Sequence, residues 1–245
     1  MTTYKEIFGK YVKNYSSDPT ADIEGQIWYN TTSGTFKSEV LVAAAWASGG
    51  NLNTARYYTA GCGTQTAGLV FLGDTGPAAS VATEKYNGTS WTSVNNANTA
   101  RTALAGAGTQ TAAVAFGGFF YPEYAPGGPG EKNNTENYNG TSWTASGTLT
   151  TARSVLAGAG TQTAALAFGG TVHRASPEIQ SATEEYNGST WTAGGSLNTA
   201  RQNLAGAGTQ TAALGFGGYV GGSPYSNATE EWTGTVISSK TVTVT

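Results

Sequence analysis

The chain repeats itself four times, and only one stretch of each copy changes length. Arg56, Arg101, Arg153 and Arg201 mark the copies at periods of 45, 52 and 48 residues. From each arginine to a later glycine (Gly73, Gly118, Gly170, Gly218) is always 17 positions. Thr83, Thr135 and Thr183 stand 8 residues before Trp91, Trp143 and Trp191, and each tryptophan stands 10 before the next arginine. The gap from glycine to threonine alone varies, at 10, 17, 13 and, to Thr229, 11 residues. Self-similarity at this period implies a modular β architecture such as a propeller. A fixed frame with one variable loop per module is how a scaffold presents a binding surface.

Within a module the residues read as four strands. Leu104-Ala105-Gly106-Ala107-Gly108 and Ala112-Ala113-Val114-Ala115-Phe116 flank a short Thr-Gln-Thr turn. Their small side chains suit inner strands crowded around an axis. Thr135-Glu136-Asn137-Tyr138 is a half-buried third strand, and Trp143-Thr144 begins the fourth. Asn87-Gly88, Asn139-Gly140 and Asn187-Gly188 between them predict type I′ hairpin turns. That turn reading outweighs the N-glycosylation reading of the same asparagines.

The ends extend the pattern. Trp46 to Arg56 matches Trp191 to Arg201 almost letter for letter, so Trp46 reads as the outer-strand tryptophan of an incomplete module. Two strand candidates precede it, Gln26 to Asn30 and Gly34 to Ser38, and Thr241-Val242-Thr243-Val244-Thr245 alternates strictly. Three N-terminal strands and one C-terminal strand would make a fifth blade and close a ring without edges. Four blades with loose ends are the alternative. The expected fold class is therefore all-β, a small propeller spanning residues 21–245 behind an N-terminal segment, residues 1–20. In that segment Tyr4, Ile7, Phe8 and Tyr11 fall at helical spacing and are candidate anchoring residues, on a partner or on the domain itself.

Composition narrows the chemistry. Charged residues are 11% of the chain, far below the usual quarter, and the net charge is −3, which makes no electrostatic case for nucleic acid or an anionic membrane. There are 13 Tyr, 8 Phe and 6 Trp, so recognition rests on aromatic faces and hydrogen bonds. One cysteine excludes an intrachain disulfide; Cys62 occupies the position of Ala107, Ala159 and Ala207 and reads as core filler. No apolar stretch approaches a membrane span, and no signal peptide opens the chain, so synthesis in a cytoplasm without export by that route is expected. No cofactor or metal site is expected, because the single histidine, His173, has no second ligand of its kind. Glu84, Glu136, Glu184 and Glu230 fall at equivalent positions, which spaces them around the ring instead of pairing them for catalysis. The four arginines read either as an anion site on one face or, more simply, as bridges from each arginine to the neighbouring blade's carboxylate or backbone carbonyls.

The order Thr-Ala-Arg, apolar strand, Phe-Gly-Gly, Tyr, Trp resembles the kelch repeat over roughly Trp46 to Gly234. That family forms propellers of four-stranded blades. The chain departs from it at Leu72-Gly73-Asp74, at Trp232 in a tyrosine position and at Ile237 in a tryptophan position. Separately, Tyr4-Lys-Glu-Ile-Phe-Gly-Lys and Glu24-Gly-Gln-Ile-Trp-Tyr-Asn-Thr-Thr-Ser-Gly-Thr-Phe-Lys resemble the N-termini of structural proteins in tailed phages of marine bacteria, cyanophages among them. The Gly-Gln-Ile-Trp-Tyr-Asn hairpin is similar to segments common in phage tail-fibre and other virion proteins, and the Gly-Thr-Gln-Thr-Ala-Ala-Leu-Ala-Phe-Gly-Gly repeats also resemble those proteins. This resemblance implies a non-enzymatic virion component, a tail fibre or adhesin, made in the host cytoplasm. It also implies homo-oligomers in the particle, with other virion proteins and a host-surface glycan or protein as partners.

The variable loops 74–82, 119–134, 171–182 and 219–228 are expected on one side of the disc. Their candidate binding residues are Phe119, Phe120, Tyr121, Tyr124, His173, Arg174, Tyr219 and Tyr225. The longest loop is stiffened by prolines, which preorganises its aromatics for a glycan or a protein. Two rivals remain. One is an architectural subunit whose loops meet neighbouring copies. The other is a carbohydrate-active enzyme using Glu123, Glu131 and Glu178.

Overall fold

A computed structural model describes residues 12–19, 27–38, 44–120, 130–172, 178–222 and 225–234. All regular structure among them is β, and the chain divides into two units at Ser48. In the first unit β1 (Lys13–Tyr15) pairs in parallel with β2 (Ile27–Asn30), which forms a hairpin with β3 (Thr35–Ser38). The hairpin turn is closed by Asn30, whose Oδ1 accepts the N–H groups of Thr32 and Ser33 at 3.0 and 2.9 Å. Asp18 accepts hydrogen bonds from Asn30 Nδ2 at 2.8 Å and Trp28 Nε1 at 3.3 Å, and it pairs with Lys37 at 2.7 Å. The hydrogen bond from Lys37, followed by that from Asn30, holds its carboxyl below the usual carboxylate range. Tyr4, Ile7, Phe8 and Tyr11 lie outside the described residues. The described end of the expected helix, Lys13–Tyr15, is a strand.

The second unit carries the repeats. β4 (Ala60–Thr64), β5 (Ala67–Phe71), β6 (Thr83–Tyr86) and β7 (Trp91–Val94) form one antiparallel blade. β8 (Ala105–Gly108), β9 (Ala113–Phe116), β10 (Thr135–Tyr138) and β11 (Trp143–Ser146) form the next. The third is built from β12 (Ala157–Thr161), β13 (Ala164–Phe168), β16 (Thr183–Tyr186) and β17 (Trp191–Ala193); the short hairpin β14 (Thr171–Val172) and β15 (Glu178–Ile179) rises from its variable loop. The fourth shows β18 (Ala205–Gly208), β19 (Ala212–Phe216) and β20 (Thr229–Thr233). The first strands of successive blades stand side by side: β4 by β8, β8 by β12, β12 by β18. This is the arrangement of a β-propeller.

Two parts of the sequence reading need correction or stand open. Trp46 is not on a strand: residues 44–50 are irregular and its ring is fully exposed. Residues 39–43 and 235–245, which a fifth blade would draw on, lie outside the described residues. The Asn-Gly turns also differ from type I′. Tyr86 pairs with Trp91 across a four-residue loop, and only Gly88 takes a positive φ, of 92°. Asn87 is not left-handed; its Oδ1 accepts the N–H groups of Thr89 and Ser90 at 3.0 and 2.9 Å. The same loop recurs at Asn139 and Asn187. Asparagine closes these turns through its side chain, which makes the longer loop as economical as the two-residue one.

Blade-to-blade packing explains the small residues of the inner strands. In the first three blades the second strand ends in a phenylalanine whose ring lies on a glycine of the next blade. A Cβ on Gly106 would sit 2.6 Å from Phe71 Cζ, one on Gly158 2.7 Å from Phe116 Cζ, and one on Gly206 2.7 Å from Phe168 Cζ. The next blade's tryptophan packs at an angle against the same ring, with centroids 5.0 Å apart for Phe71 and Trp143 and 4.9 Å for Phe116 and Trp191. The indole N–H then donates back to the earlier blade: Trp143 to Thr83 Oγ1 at 2.9 Å, Trp191 to Thr135 Oγ1 at 2.8 Å. Glutamines in the Thr-Gln-Thr turns make a second seam. Gln110 donates to the carbonyls of Gly68 and Tyr86, Gln162 to those of Ala113 and Tyr138, and Gln210 to those of Ala165 and Tyr186. A third seam joins residues in left-handed conformation: the N–H of Ala103 donates to Tyr58 O, Val155 to Ala103 O and Asn203 to Val155 O.

The glycine contact is testable. Gly158→Ala puts a methyl group into the Phe116 ring and is expected to lower stability by about 1–3 kcal/mol, the usual cost of overpacking. Denaturant unfolding measures it, and an unchanged midpoint would refute the contact's importance.

Candidate loop face

Each variable loop leaves its blade at a constant place, held by the arginine that marks the repeat. Arg101 Nη1 donates to the carbonyls of Gly117 and Asn134 at 2.9 and 2.7 Å, which joins the end of β9 to the start of β10. Its Nη2 donates to Glu136 at 2.9 Å. The other oxygen of Glu136 accepts the backbone N–H of Asn98 at 2.7 Å, so the connection between blades is fixed by the same carboxylate. Arg153 with Glu184 and Arg201 with Glu230 repeat the arrangement at 2.9 and 2.7 Å, and Arg56 pairs with Glu84. Burial pushes the guanidiniums of Arg56, Arg101 and Arg153 below the usual arginine range, while the attraction of their glutamates works the other way. These side chains face no solvent, so the anion-site reading of the four arginines is overturned in favour of a structural bridge, and that bridge runs to the arginine's own blade, Glu136 on β10 for Arg101, and not to the neighbouring blade as the sequence suggested.

A second set of equivalent bonds closes the loop bases. Ser80 N–H donates to Gly73 O, Lys132 to Gly118 O, Gln180 to Gly170 O and Ser226 to Gly218 O, at 2.7 to 2.9 Å. The first loop residue bridges to the residue after the arginine: Asp74 with Tyr57, Phe119 with Thr102, Thr171 with Ser154, Tyr219 with Gln202. In every blade the variable loop thus lies beside the inter-blade connection, on the side opposite the Thr-Gln-Thr turn. Loops of 10 to 17 positions leave from one invariant base, and this is why length changes do not disturb the frame.

The candidate binding residues do not share one environment. Phe119 is buried, 2% exposed, with its ring over Gly130, where a Cβ would come within 2.2 Å of Cε2. Its ring belongs to the loop's foundation and not to an exposed contact surface. Phe120 is half-buried beneath the Lys132 ammonium, 5.8 Å from the ring centroid. Tyr219 is half-buried, and its hydroxyl accepts the N–H of Gly222 at 3.3 Å. Tyr225 alone of the four stands out, 84% exposed. Tyr121, Tyr124, His173 and Arg174 lie outside the described residues. Of the acidic residues a glycosidase would need, Glu131 is buried at a bridge to Phe119, Glu178 is exposed on β15, and Glu123 lies outside the described residues. Among the described residues no cluster of His, Cys, Asp and Glu is arranged to hold a metal. The described residues also contain no helix long and apolar enough to cross a membrane.

Two exposed features were not singled out by sequence reasoning. Tyr57 and Tyr58, each half exposed, lie with ring centroids 4.9 Å apart at the connection into the first blade. Their signal is visible in hindsight: the equivalent pairs are Thr102-Ala103, Ser154-Val155 and Gln202-Asn203. On the last blade Leu214 and Phe216 are 40% and 39% exposed, whereas the equivalent Phe71, Phe116 and Phe168 are covered by a following blade.

The arginine bridge yields the sharpest stability prediction. Arg101→Met leaves Glu136 buried without a counter-charge and is expected to cost about 3–5 kcal/mol. The double variant Arg101→Met/Glu136→Leu is expected to recover most of that loss, measured by urea unfolding of both proteins. Equal losses would show that packing, not charge, is at stake. A further prediction concerns Cys62, whose thiol donates to Thr109 O at 3.4 Å and is pushed by burial up to about 12. Only thiolate reacts with iodoacetamide. At pH 8.5 the folded protein is expected to resist labelling while the urea-unfolded chain labels readily. Comparable rates by mass spectrometry would overturn this account.

No protein-family model matches this chain, and no curated protein matches it.

Proposed function

We propose that the protein is a non-enzymatic component of a phage particle, a fibre- or adhesin-type module that presents its loop face to a host-surface glycan or protein. The observation that carries the binding half of this reading is the constant loop base. Four loops of different length and sequence rise from equivalent hydrogen bonds beside the inter-blade connections. Variation in length falls between the loop base and the residues, Val81, Asn133 and Ser181, whose carbonyls accept N–H groups of the inter-blade connections. The particle half rests on the sequence resemblance of the N-terminal stretch and the repeats to tailed-phage structural proteins. The Gly-Gln-Ile-Trp-Tyr-Asn stretch that carries it ends in the hairpin strand β2. Exposed tyrosine on a clamped loop suits stacking on a sugar ring, because an ordered base leaves little entropy to lose on binding.

The architectural reading has one observation in its favour, the exposed Leu214 and Phe216 of the last blade, an apolar pair of the kind subunits cover. An array of bacterial surface glycans, run with a product assay, separates the readings. The expected outcome is specific binding without hydrolysis, weakened about tenfold by Tyr225→Ala, the loss of one stacking contact of roughly 1.4 kcal/mol. Released sugar would sink the proposal. A blank array together with concentration-dependent oligomers would favour the architectural role.

A further inference from the structure

The chain holds three Asn-Gly pairs, and all three close the same kind of loop between the third and fourth strands of a blade. Tyr86-Asn-Gly-Thr-Ser-Trp91 and Tyr138-Asn-Gly-Thr-Ser-Trp143 are identical letter for letter, and Tyr186-Asn-Gly-Ser-Thr-Trp191 only exchanges its two hydroxyl residues. Backbone geometry is shared as well, with Gly88, Gly140 and Gly188 at φ of 92°, 91° and 94°. An asparagine followed by glycine is open to succinimide chemistry, because glycine has no side chain to shield its own nitrogen. Any difference in reactivity between the first two loops therefore belongs to the fold.

The loops differ in what holds them. Gly140 O accepts the Tyr138 hydroxyl at 3.1 Å and Lys85 Nζ of the preceding blade at 2.6 Å. Gly188 O accepts the Tyr186 hydroxyl at 2.8 Å and Asn137 Nδ2 of the preceding blade at 3.2 Å. Among the described residues no such donor, the Tyr86 hydroxyl included, reaches Gly88 O. Burial follows the same division. Tyr138, Trp143, Tyr186 and Trp191 are buried, whereas Tyr86 and Trp91 are half-buried and all four residues from Asn87 to Ser90 are exposed.

We propose that Asn87 is a site of spontaneous modification, the Asn-Gly pair that converts fastest to aspartate and isoaspartate in the folded protein. Gly88 N bonds to Asn87 Cγ and gives its proton to water, while the side-chain nitrogen takes up a proton and leaves as ammonia. The resulting five-membered succinimide adds one water at either ring carbonyl, the ring C–N bond there breaks, and aspartate or isoaspartate remains. One water is consumed and one ammonia released. Ring closure requires Asn87 Oδ1 to let go of the N–H groups of Thr89 and Ser90, held at 3.0 and 2.9 Å, so the loop must open first. At Asn139 and Asn187 opening also works against the bonds to the glycine carbonyl and the buried flanking rings; at Asn87 it does not. Isoaspartate adds a carbon to the main chain and removes the side-chain acceptor that closes the turn between β6 and β7. The site lies in the constant part of the module, so it neither requires nor tests the loop-face assignment.

Ageing the folded full chain in mildly alkaline buffer, then counting aspartate and isoaspartate at each site by peptide mass spectrometry with electron-transfer fragmentation, tests it. Conversion at Asn87 is expected to run about fivefold faster than at Asn139 or Asn187, the effect of one hydrogen bond. In the urea-unfolded chain Asn87 and Asn139 are expected to convert at equal rates, because their surroundings in sequence are identical. Lys85→Met, which removes one bond to Gly140 O, is expected to raise the Asn139 rate of the folded protein towards that of Asn87. Equal rates at the three sites of the folded protein would overturn the proposal, and so would a difference between Asn87 and Asn139 that persists in urea. An unchanged Asn139 rate in folded Lys85→Met would also overturn it. Should that variant fail to fold, Asn137→Leu makes the same test at Gly188 O, with an unchanged Asn187 rate as the overturning result.

Discussion

Each blade is tied at its loop end by one buried guanidinium, and most of the frame depends on that tie. Arg101, Arg153 and Arg201 are fully buried, a placement that costs several kcal/mol per charge unless it is compensated. Compensation here is nearly complete. Two carbonyls and a carboxylate oxygen take the Nη protons, and the second carboxylate oxygen is occupied by a backbone N–H of the connection. Only Nε lacks a protein partner, in all four repeats, so the same imperfection has been accepted each time. An unpaired buried N–H costs roughly 1–3 kcal/mol, much less than losing the bridge. The arginine thereby gathers four chain segments at one point: the connection, the ends of the second and third strands, and the base of the loop. An apolar cluster would fill the space but would not fix their mutual register, because it has no directional bonds.

The sequence made the repeat frame visible because its parts interact through residue types that few positions tolerate. A glycine lies against a phenylalanine ring, an indole N–H reaches a threonine, and a carboxylate meets an arginine. Each recurs at fixed spacing, so the repeat is legible, while the contacts themselves, a ring and an indole reaching across blades and an arginine pairing within its own, emerge only in the fold. Reading failed where the same letters admit two geometries. Asn-Gly serves a two-residue turn with both residues left-handed, or a longer loop closed by the asparagine side chain; composition does not separate them. The glutamine of Thr-Gln-Thr read as a turn residue, yet its amide spans to the neighbouring blade, a long-range bond that a local pattern does not reveal. Phe119 opened the most aromatic loop and read as exposed, but strand bridges on both sides turn it inward over Gly130. Trp46 matched the later modules by letters alone, and its strand is absent because residues 44–50 are irregular.

The candidate site was therefore legible in outline and not in detail. Variable length located the loops, and the closing bonds at Gly73, Gly118, Gly170 and Gly218 explain why that inference was sound. Which side chains face outward follows from bridges inside each loop, and these depend on loop length, the one quantity that differs between copies. The exposed tyrosines at Tyr57 and Tyr58 were overlooked for a related reason. They lie in the constant part of the module, where attention to variable length gives no signal.

Departures from the repeat fall on the first and the last copies. The first has Leu72-Gly73-Asp74 and Cys62, and the last has Trp232 for tyrosine and Gly215 for alanine. The contacts that dock the last blade persist through these changes. Arg201 still bridges to Glu230, Gln210 still donates to the carbonyls of Ala165 and Tyr186, and the Phe168 ring still lies on Gly206, where a Cβ would come within 2.7 Å. Where alanine becomes Gly215, the Phe168 ring stands so close that a Cβ would meet it at 2.9 Å, so the ring occupies the space that the methyl group vacates. Directional bonds and close backbone contacts therefore hold the register of the blades, and the side chains packed between them can change without moving the frame.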